Sequence, residues 1–434
     1  MSLYTMRHFV ALDANSDKYR TIMGILQRDR LAGLRDKGSF SLFTGVCMHL
    51  NVRTVNGRDA QELYICAAPD SASDWSIAAQ EMFASVEEVA RQHDARICRR
   101  RVFVPEGQLT SFPAASCDMQ SADAPPVPTD WLSAGAAPIA GGIQAHALRG
   151  KFEWKPLCYG GRTLGWSVAR NGCRWAVTGD VHVTPAAEGP EQAKQAFEIA
   201  EALLEQAGMD LSDVARTWIF LRDILSWYPK FNDARTRLFV ERGLMRRVQP
   251  AGALQVPAST GMGVKPASSA DIALELFAAA GPEGTVRRFS AAGRQRSACE
   301  YGSSFARAAE AHTPAGRTVF VSGTAAIDAN GASCCMGDIR GQIAMTIQNI
   351  LAVLRDLHCS PRDVVEAIAY CKNMDVVNQF RQGWMREMDW PWLAVIGDIC
   401  RPELLFEVEV TACQGDEALF AVRPSDRELK SKIA

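Results

Sequence analysis

The sequence contains 13 cysteines but has no Cys-x-x-Cys pair and no His/Cys spacing typical of a metal site. Cys334 and Cys335 are adjacent, and such a pair suits neither zinc ligation nor a disulfide framework. We therefore expect reduced and mostly buried thiols, and we expect no bound metal.

The sequence also lacks an excess of charge of either sign, because 47 basic residues face 49 acidic ones and the formal net charge is −2. This balance gives no indication of a nucleic-acid or anionic-membrane partner. No apolar run reaches the length that spans a bilayer, and residues 1–8 lack the basic-then-apolar pattern of a secretion signal. A cytoplasmic location is the expectation.

A chain of 434 residues exceeds the usual size of one domain, so two or three compact units are expected. One order of elements recurs along it. In the last third, an apolar strand over 319–324 precedes an amphipathic helix over 339–354, a strand over 364–370 and a helix that contains Val377, Phe380 and Trp384. A closing strand over 404–410 ends this unit.

The middle third repeats this order, with a strand that ends at 180, helices over 192–206 and 227–240, and strands over 213–221 and 271–277. The first third is looser, with strands over 42–45, 101–104 and 143–148, a helix over 78–92 and a Pro/Ser/Ala-rich loop over 113–138. The sequence thus predicts an α+β protein of three units, which span residues 1–150, 151–285 and 286–434.

The closing strand of the third unit alternates between two kinds of side chain. Leu404, Phe406, Val408 and Val410 share one face, and Leu405, Glu407 and Glu409 share the other. By itself this pattern favours an amphipathic strand with its glutamates in water, and a cleft lined by carboxylates is the alternative.

The order of Ser-Gly-Thr, amphipathic helix, Asp-Val-Val strand and Phe-Glu-Val-Glu strand resembles the RidA/YjgF superfamily, over residues 155–415 and more weakly over 35–150. Members form homotrimers with a small-molecule site in each cleft between subunits. The resemblance implies that three fused units, the first of them degenerate, form a monomeric pseudo-trimer, with further self-association left open.

The family's cleft glutamate corresponds to Glu407, with Glu275 in the second unit and Gln144 in the first. Its enamine and imine deaminases also hold the substrate carboxylate with an arginine that precedes the closing strand. Ser259 and Leu393 stand in that place here. Ordinary imine deamination is therefore not expected.

A narrower resemblance links four stretches, residues 216–235, 257–263, 300–308 and 398–407, to the chorismatases, which are built on RidA-like units. It implies hydrolysis of chorismate, a dicarboxylate whose enol ether joins pyruvate to a cyclohexadiene ring, without metal or organic cofactor. Cleavage needs a proton at the enol methylene carbon, and a buried carboxylic acid of raised pKa suits that task.

Glu407 is the expected proton donor, and Glu409 is its support and a further candidate for substrate contact. Arg307 is the first choice for a substrate carboxylate, because an arginine fork binds carboxylates in bidentate fashion. The further candidates for substrate contact are Arg162, Tyr159, Arg170, Tyr301, Gly302 and Phe305. Each has a structural alternative, since single arginines are usually surface or ion-paired residues and aromatic rings often fill cores.

The resemblance further implies that Cys400, together with Gly302, goes with release of 3-hydroxybenzoate rather than a dihydrodiol acid. In that route the ring hydroxyl displaces the enolpyruvyl group, and the cysteine assists rearomatisation. A lone cysteine is otherwise more often an inert core residue.

Two other functions stay open at this point. One is a RidA-like hydrolase of another enamine, imine or enol ether. The other is a non-catalytic metabolite-binding protein on the same fold.

Overall fold

The computed structural model describes residues 37–38, 48–69, 75–108, 126–135, 140–183, 188–245, 255–281 and 286–416. Three β-sheets organise this part of the chain, and each carries helices on one face. Sheet I holds strands β1 to β6 and packs against helix α1. Their bounds are β1 Lys37–Gly38, β2 Met48–Asn56, β3 Gln61–Pro69, α1 Trp75–Gln92, β4 Arg96–Pro105, β5 Thr129–Ala134 and β6 Gly142–Arg149.

Sheet II and helices α2 and α3 form the second unit. Its elements are β7 Glu153–Tyr159, β8 Arg162–Arg170, β9 Cys173–Val181, α2 Gly189–Gln206, β10 Val214–Leu221, α3 Ile224–Glu241, β11 Ala258–Met262 and β13 Ile272–Ala280. The two-residue strand β12, Lys265–Pro266, leaves this unit and pairs with β5 of sheet I. The second unit is thereby tied to the first through a shared sheet edge.

Sheet III forms the third unit with helices α4 to α6. Its elements are β14 Arg287–Phe289, β15 Ala308–Thr313, β16 Gly316–Ala325, α4 Ile339–Asp356, β17 Val364–Cys371, α5 Met374–Gln382, α6 Trp384–Glu387, β18 Trp392–Ile396 and β19 Phe406–Gly415.

Sheets II and III have the same strand order. The order is β11-β10-β13-β9-β8-β7 in sheet II. Read in the same direction, it is β18-β17-β19-β16-β15-β14 in sheet III. In both, the last strand of the unit lies in the middle of the sheet, and one parallel pair, β10 with β11 or β17 with β18, forms an edge. The fold is an α+β pseudo-trimer in which the sheets take the place of three subunits.

Helix periodicity explains which face of each helix is buried. In α2, Ala193, Phe197, Ala200 and Leu204 fall at i, i+4, i+7 and i+11, and all four are buried against sheet II. In α4, isoleucines and a leucine at the same spacing are buried against sheet III. The opposite faces of the sheets meet in a central cluster that draws on all three units and includes Phe103, Trp218 and Phe320.

The sequence predicted the long helices and the central strands of the second and third units but not their outer strands, and two predictions need correction. The residues 113–138 were expected to form a loop, but Thr129–Ala134 form β5, which pairs in parallel with β4. This pairing depends on tertiary contacts, and the sequence of β5 itself has little of the alternation that marks a strand. The expected strand at 42–45, and the parts of that loop at 113–125 and 136–138, lie outside the described residues.

The alternation of the closing strand also differs from the prediction, at the two residues before Phe406. Leu404 was expected on the same face as Phe406, but it packs in the central cluster, whereas Leu405 contacts the helix-covered core of the third unit. The strand begins only at Phe406, since the Leu405 backbone N–H donates to the Gln342 side chain at 2.7 Å. From Phe406 onward the predicted alternation is confirmed.

Candidate functional site

A cavity of about 300 Å³ lies between the second and third units. Helix α3 and strand β11 form one wall, and residues around β15, β16 and β19 form the other. The lining residues are Tyr228, Pro229, Asn232, Asp233, Arg235, Ser259, Gly261, Gly302, Ser303, Phe305, Arg307, Gly323, Ala325, Ile327, Cys400, Arg401 and Glu407.

Backbone hydrogen bonds join the two walls beside this cavity. The Ala306 N–H donates to the Pro257 carbonyl at 3.0 Å, next to an isolated parallel bridge between Ala258 and Ala306. Gly263 and Asp398 exchange two hydrogen bonds, at 2.7 and 3.1 Å. Because these are main-chain contacts, the walls are held in a fixed relation.

Glu407 projects into the cavity from β19, between Ala325 on β16 and Tyr370 on β17. The residue is only 6% exposed. Burial, reinforced by the Glu409 carboxylate, raises the pKa of Glu407 to about 8, although Arg307 opposes the shift. The carboxyl is therefore a proton-bearing acid near neutral pH.

A bulge in β16 makes room for this carboxyl. The register between β16 and β19 shifts between Val321 and Thr324, and Gly323 lies within the shift. A Cβ at position 323 would overlap Oε1 of Glu407 and lie 2.9 Å from Cγ2 of Thr260. Glycine is thus required for the acid to lie against the strand.

Arg307 supplies one buried cation to the cavity. It is 2% exposed, and its Nε donates to the Arg296 carbonyl at 3.0 Å. Burial lowers the pKa of its guanidinium to about 10, and Glu407 partly offsets this shift. It keeps its positive charge at neutral pH and lies 5.2 Å from the Phe305 ring centroid.

Arg235 supplies a second buried cation, from α3. It is 3% exposed; its Nη2 donates to Asn232 Oδ1 at 2.7 Å and its Nη1 to Ser259 Oγ at 3.4 Å. Within the described ranges, its Nε has no hydrogen-bond partner, and Tyr228 rather than a carboxylate is the first group that favours its charged form. A desolvated guanidinium without a carboxylate indicates a place for an anionic ligand group.

The sequence matches the Ribonuc_L-PSP family, described as Endoribonuclease L-PSP, over residues 174–281 and 303–414, which together make just over half of the chain. The chain belongs to this family. The matched segments cover much of the second and third units, and the predicted RidA/YjgF resemblance is thereby confirmed. No protein with curated function matches the sequence.

One solved structure extends this likeness in fold to about three quarters of the chain. A chorismatase crystal structure is similar over 73% of this chain and 93% of that one, with 17% identity and a TM-score of 0.55. Two single-unit structures each cover 30% of this chain. A putative endoribonuclease from Thermotoga maritima has 22% identity, 98% of its own length covered and a TM-score of 0.24; for yeast Mmf1 the values are 18%, 99% and 0.25.

The structure brings several of the predicted site residues of this family member together. Glu407, Arg307, Phe305, Gly302 and Cys400 all line the cavity. Gly302 has a φ of 92°, in the left-handed region that favours glycine.

The thiol of Cys400 lies close enough to the acid to be affected by its charge. Burial, reinforced by Glu407, raises the pKa of Cys400 to about 12, so its sulfur is a neutral thiol at neutral pH. Tyr301 ends the short 3-10 helix Ala298–Tyr301 beside the cavity, and the placement of its side chain lies outside the described structure.

Three predicted substrate contacts lie elsewhere. Tyr159 and Arg162 form the exposed turn between β7 and β8, at the edge of sheet II, and Arg162 pairs with Asp180. Arg170, at the end of β8, binds Asp59 in the first unit at 3.0 Å. None of the three residues lines this cavity, because the turn between β7 and β8 lies at the edge of sheet II.

Glu409 also lies away from the cavity, although it shares a strand face with Glu407. Its carboxylate accepts a hydrogen bond from Arg216 at 2.8 Å and lies 3.6 Å from Arg101. Glu409 therefore does not line the cavity, and its carboxylate affects Glu407 through its charge.

Sequence reasoning missed the polar face of α3. Tyr228, Asn232 and Arg235 follow one another at i, i+4 and i+7, so they lie on one side of the helix and all three line the cavity. This spacing was visible in the sequence. What it could not reveal is that the face meets the third unit.

The other two clefts of the pseudo-trimer differ from this one. Between the first and second units, Glu275 occupies the position equivalent to Glu407, but Arg101 binds it through two bonds of 2.6 and 2.7 Å. Between the third and first units, Leu393 packs close to Gly142 and Cys66 donates to the Trp392 carbonyl. Among the residues that the structure describes, neither of these two arrangements offers an accessible acid.

Proposed function

We propose that this protein is a chorismatase, which releases pyruvate and a hydroxybenzoate from chorismate at the cavity between the second and third units. One observation carries the proposal. A buried carboxyl that holds its proton near neutral pH, Glu407, shares a cavity with two buried guanidinium groups, Arg235 and Arg307.

The two cations match the two carboxylates of chorismate. A planar guanidinium binds a carboxylate through two parallel hydrogen bonds, and burial strengthens that bond by excluding water. Phe305 lies near both cations, with ring-centroid distances of 5.2 Å to Arg307 and 5.9 Å to Arg235. An apolar surface between two carboxylate-binding groups suits a ring that carries one carboxylate directly and the other on its enolpyruvyl arm.

Glu407 is proposed as the proton donor. With a pKa near 8, about nine-tenths of the carboxyl is protonated at pH 7. Transfer of this proton to the enol methylene carbon turns that carbon into a methyl group and leaves an oxocarbenium ion. Addition of water then consumes one water molecule and releases pyruvate with a dihydrodiol acid; displacement by the ring hydroxyl consumes none and leads to 3-hydroxybenzoate.

We favour the second product, on the resemblance at Cys400 and Gly302. Rearomatisation needs a base that removes a ring proton. The Cys400 thiol is a poor base while it is neutral, whereas Glu407 becomes a carboxylate as soon as it has donated its proton. We therefore infer that the Glu407 carboxylate removes the ring proton and so returns to its acid form. Cys400 provides a contact and a hydrogen bond beside it.

The direct test is release of pyruvate from chorismate by the purified protein and by Glu407→Gln. Loss of a general acid typically costs 10²- to 10⁴-fold in rate, so we expect at least a hundredfold decrease in kcat with an unchanged melting temperature. Glu198→Gln, an exposed change on α2, serves as the control and is expected to retain full activity. Full activity of Glu407→Gln would contradict the proposal.

The alternative RidA-like activity gains support from Arg235. Its Nη1 reaches Ser259, the residue in the place of the arginine that deaminases of this family use, so helix α3 supplies a cation there. A monocarboxylate imine or enamine is therefore a second candidate substrate. Ammonia release from such compounds, measured beside pyruvate release from chorismate, distinguishes the two.

We also propose the division of the chain into residues 1–150, 151–285 and 286–434. The ends of the last strands of sheets I and II, at Arg149 and Ala280, support it. On this division a single chain supplies both walls of the site, and no second copy is needed.

A further inference from the structure

A buried network of three arginines and three glutamates lies where the three units meet. The first unit contributes Arg99 and Arg101, the second Arg216 and Glu275, and the third Glu366 and Glu409. Its formal charges cancel, and every member is less than a tenth exposed. The mechanism proposed above uses none of these residues directly.

One ion pair in this network, Arg216 with Glu409, is connected to the strand bulge against which Glu407 lies. Arg216 Nη2 donates to Glu409 at 2.8 Å and also to Thr260 Oγ1 at 2.5 Å. The same Thr260 oxygen accepts the backbone N–H of Gly323 at 2.9 Å. Gly323 is the bulge residue against which the Glu407 carboxyl lies. A continuous set of contacts thus runs from Arg216 to the place where the acid sits.

Glu409 is also a near neighbour of Glu407 along β19. The two residues are two positions apart on the same face of the strand, which separates their Cα atoms by about 7 Å. Both are buried, so the intervening medium screens their charges less than water would.

We propose that Arg216 and Glu409 are a positioning pair for Glu407, in which Glu409 sets a negative charge beside the acid and Arg216 both limits that charge and anchors the bulge. This inference rests on the proposed function. Arg216, on β10 of the second unit, thereby influences the acid Glu407, which belongs to the third unit.

Each of the other charged groups around Glu407 shifts its pKa in the direction that the sign of its charge requires. Arg307, on the segment before β15, and Arg401, in the loop before β19, lower its pKa, as Arg216 does. Glu409 raises it, second only to burial. Cys400 and, from α3, Tyr228 interact with Glu407 and are neutral near pH 8, because their own pKa values are raised to about 12. Asp233 and Arg235, on α3, line the same cavity, and Tyr370 lies opposite Glu407 on β17.

The test is the titration of Glu407 in the full-length protein by ¹³C NMR of labelled glutamate carboxyls, with the resonance assigned by its absence in Glu407→Gln. Removing the Glu409 charge in Glu409→Gln should lower the pKa of Glu407 by about one unit. Removing the cation in Arg216→Gln should raise it. Arg216→Lys, which keeps the charge, should leave it near the wild-type value.

The pH profile of pyruvate release gives the second readout. The acid form is required, so the wild-type rate falls as pH rises through about 8. In Glu409→Gln that fall moves to lower pH, and the rate at pH 8 decreases about fivefold because the protonated fraction drops from about a half to about a tenth.

Glu366→Gln is the matched control. It removes a carboxylate of the same network, bound to Arg99 at 3.0 and 3.1 Å, but not the one next to Glu407 on its strand face. A purely structural role predicts similar effects of both glutamine variants and no opposite shift in the arginine variant.

Opposite shifts in Glu409→Gln and Arg216→Gln, with Glu366→Gln unshifted, support the inference. Shifts in the same direction, or an equal shift in Glu366→Gln, overturn it. If Arg216→Gln does not fold, the contrast between Glu409→Gln and Glu366→Gln decides the question. The titration needs no substrate, so absence of turnover in the wild type would refute the proposed function and leave this result to stand by itself.

Discussion

Glu407 and Gly323 show what one residue contributes to this site. Period-two alternation placed Glu407 on the face opposite the apolar residues, and by itself it favoured a glutamate in water. That expectation is wrong, because Glu407 is buried and lines a cavity, as the family resemblance led us to expect. The need for glycine opposite the acid was not predicted. It depends on a bulge, and a bulge follows from the register of two strands that are eighty residues apart in sequence.

At this scale we predict that Gly323→Ala disrupts the acid. The new Cβ would overlap Oε1 of Glu407 and force the carboxyl to move. A displacement of about 1 Å at a reacting group costs about 10²-fold in rate, so we expect a decrease in kcat of that order. In a Glu407→Asp background, whose shorter side chain leaves space, the same substitution should cost much less. Equal costs in both backgrounds, measured as pyruvate release, would contradict this account.

At the scale of single elements, periodicity predicted the long helices and the central strands of sheets II and III, because their apolar faces are regular. It did not predict the outer strands β7, β8, β11, β14, β15 and β18. It failed for β5, which is short and is defined by pairing with β4 and β12. It also failed at the start of β19, where Leu404 turns into the central cluster. In both places tertiary contacts determine the structure.

Helix α3 gives the prediction at this scale. Its polar face supplies Arg235, so Arg235→Gln should raise KM for chorismate by about 10- to 100-fold, the equivalent of one charge-assisted hydrogen-bonded pair. Arg237→Gln, two residues farther along the helix and exposed, is the control and should leave KM unchanged. An unchanged KM in Arg235→Gln would mean that the substrate carboxylates bind elsewhere.

At the scale of the whole molecule, three similar units form three dissimilar clefts. In the cleft between the first and second units, the carboxylate equivalent to Glu407 is Glu275. Arg101 of the first unit already forms an ion pair with it. At the third cleft, Leu393 packs close to Gly142. The sequence resemblance predicted the pseudo-trimer, but the number of functional clefts depends on contacts between units and was not predictable from one sequence. In the described part of the chain, no helix is long and apolar enough to cross a membrane.

We predict that Arg101→Met destabilises the protein strongly. Among the described residues, the buried Glu275 carboxylate keeps the longer 3.4 Å contact to Arg99, and breaking a buried ion pair costs about 3–5 kcal/mol. The melting temperature should fall by several degrees. Adding Glu275→Leu should recover part of the loss, since it removes the stranded charge. Arg242→Met, which breaks an exposed pair with Glu201, should cost less than about 1 kcal/mol.

The central claim is that Glu407, buried between the second and third units, protonates the enol ether of chorismate. Product analysis after incubation with chorismate tests it most directly. We expect pyruvate and 3-hydroxybenzoate in equal amounts from the wild type, and at least a hundredfold less of both from Glu407→Gln. Failure of the folded wild-type protein to release pyruvate, or an unchanged rate in Glu407→Gln, would contradict the claim.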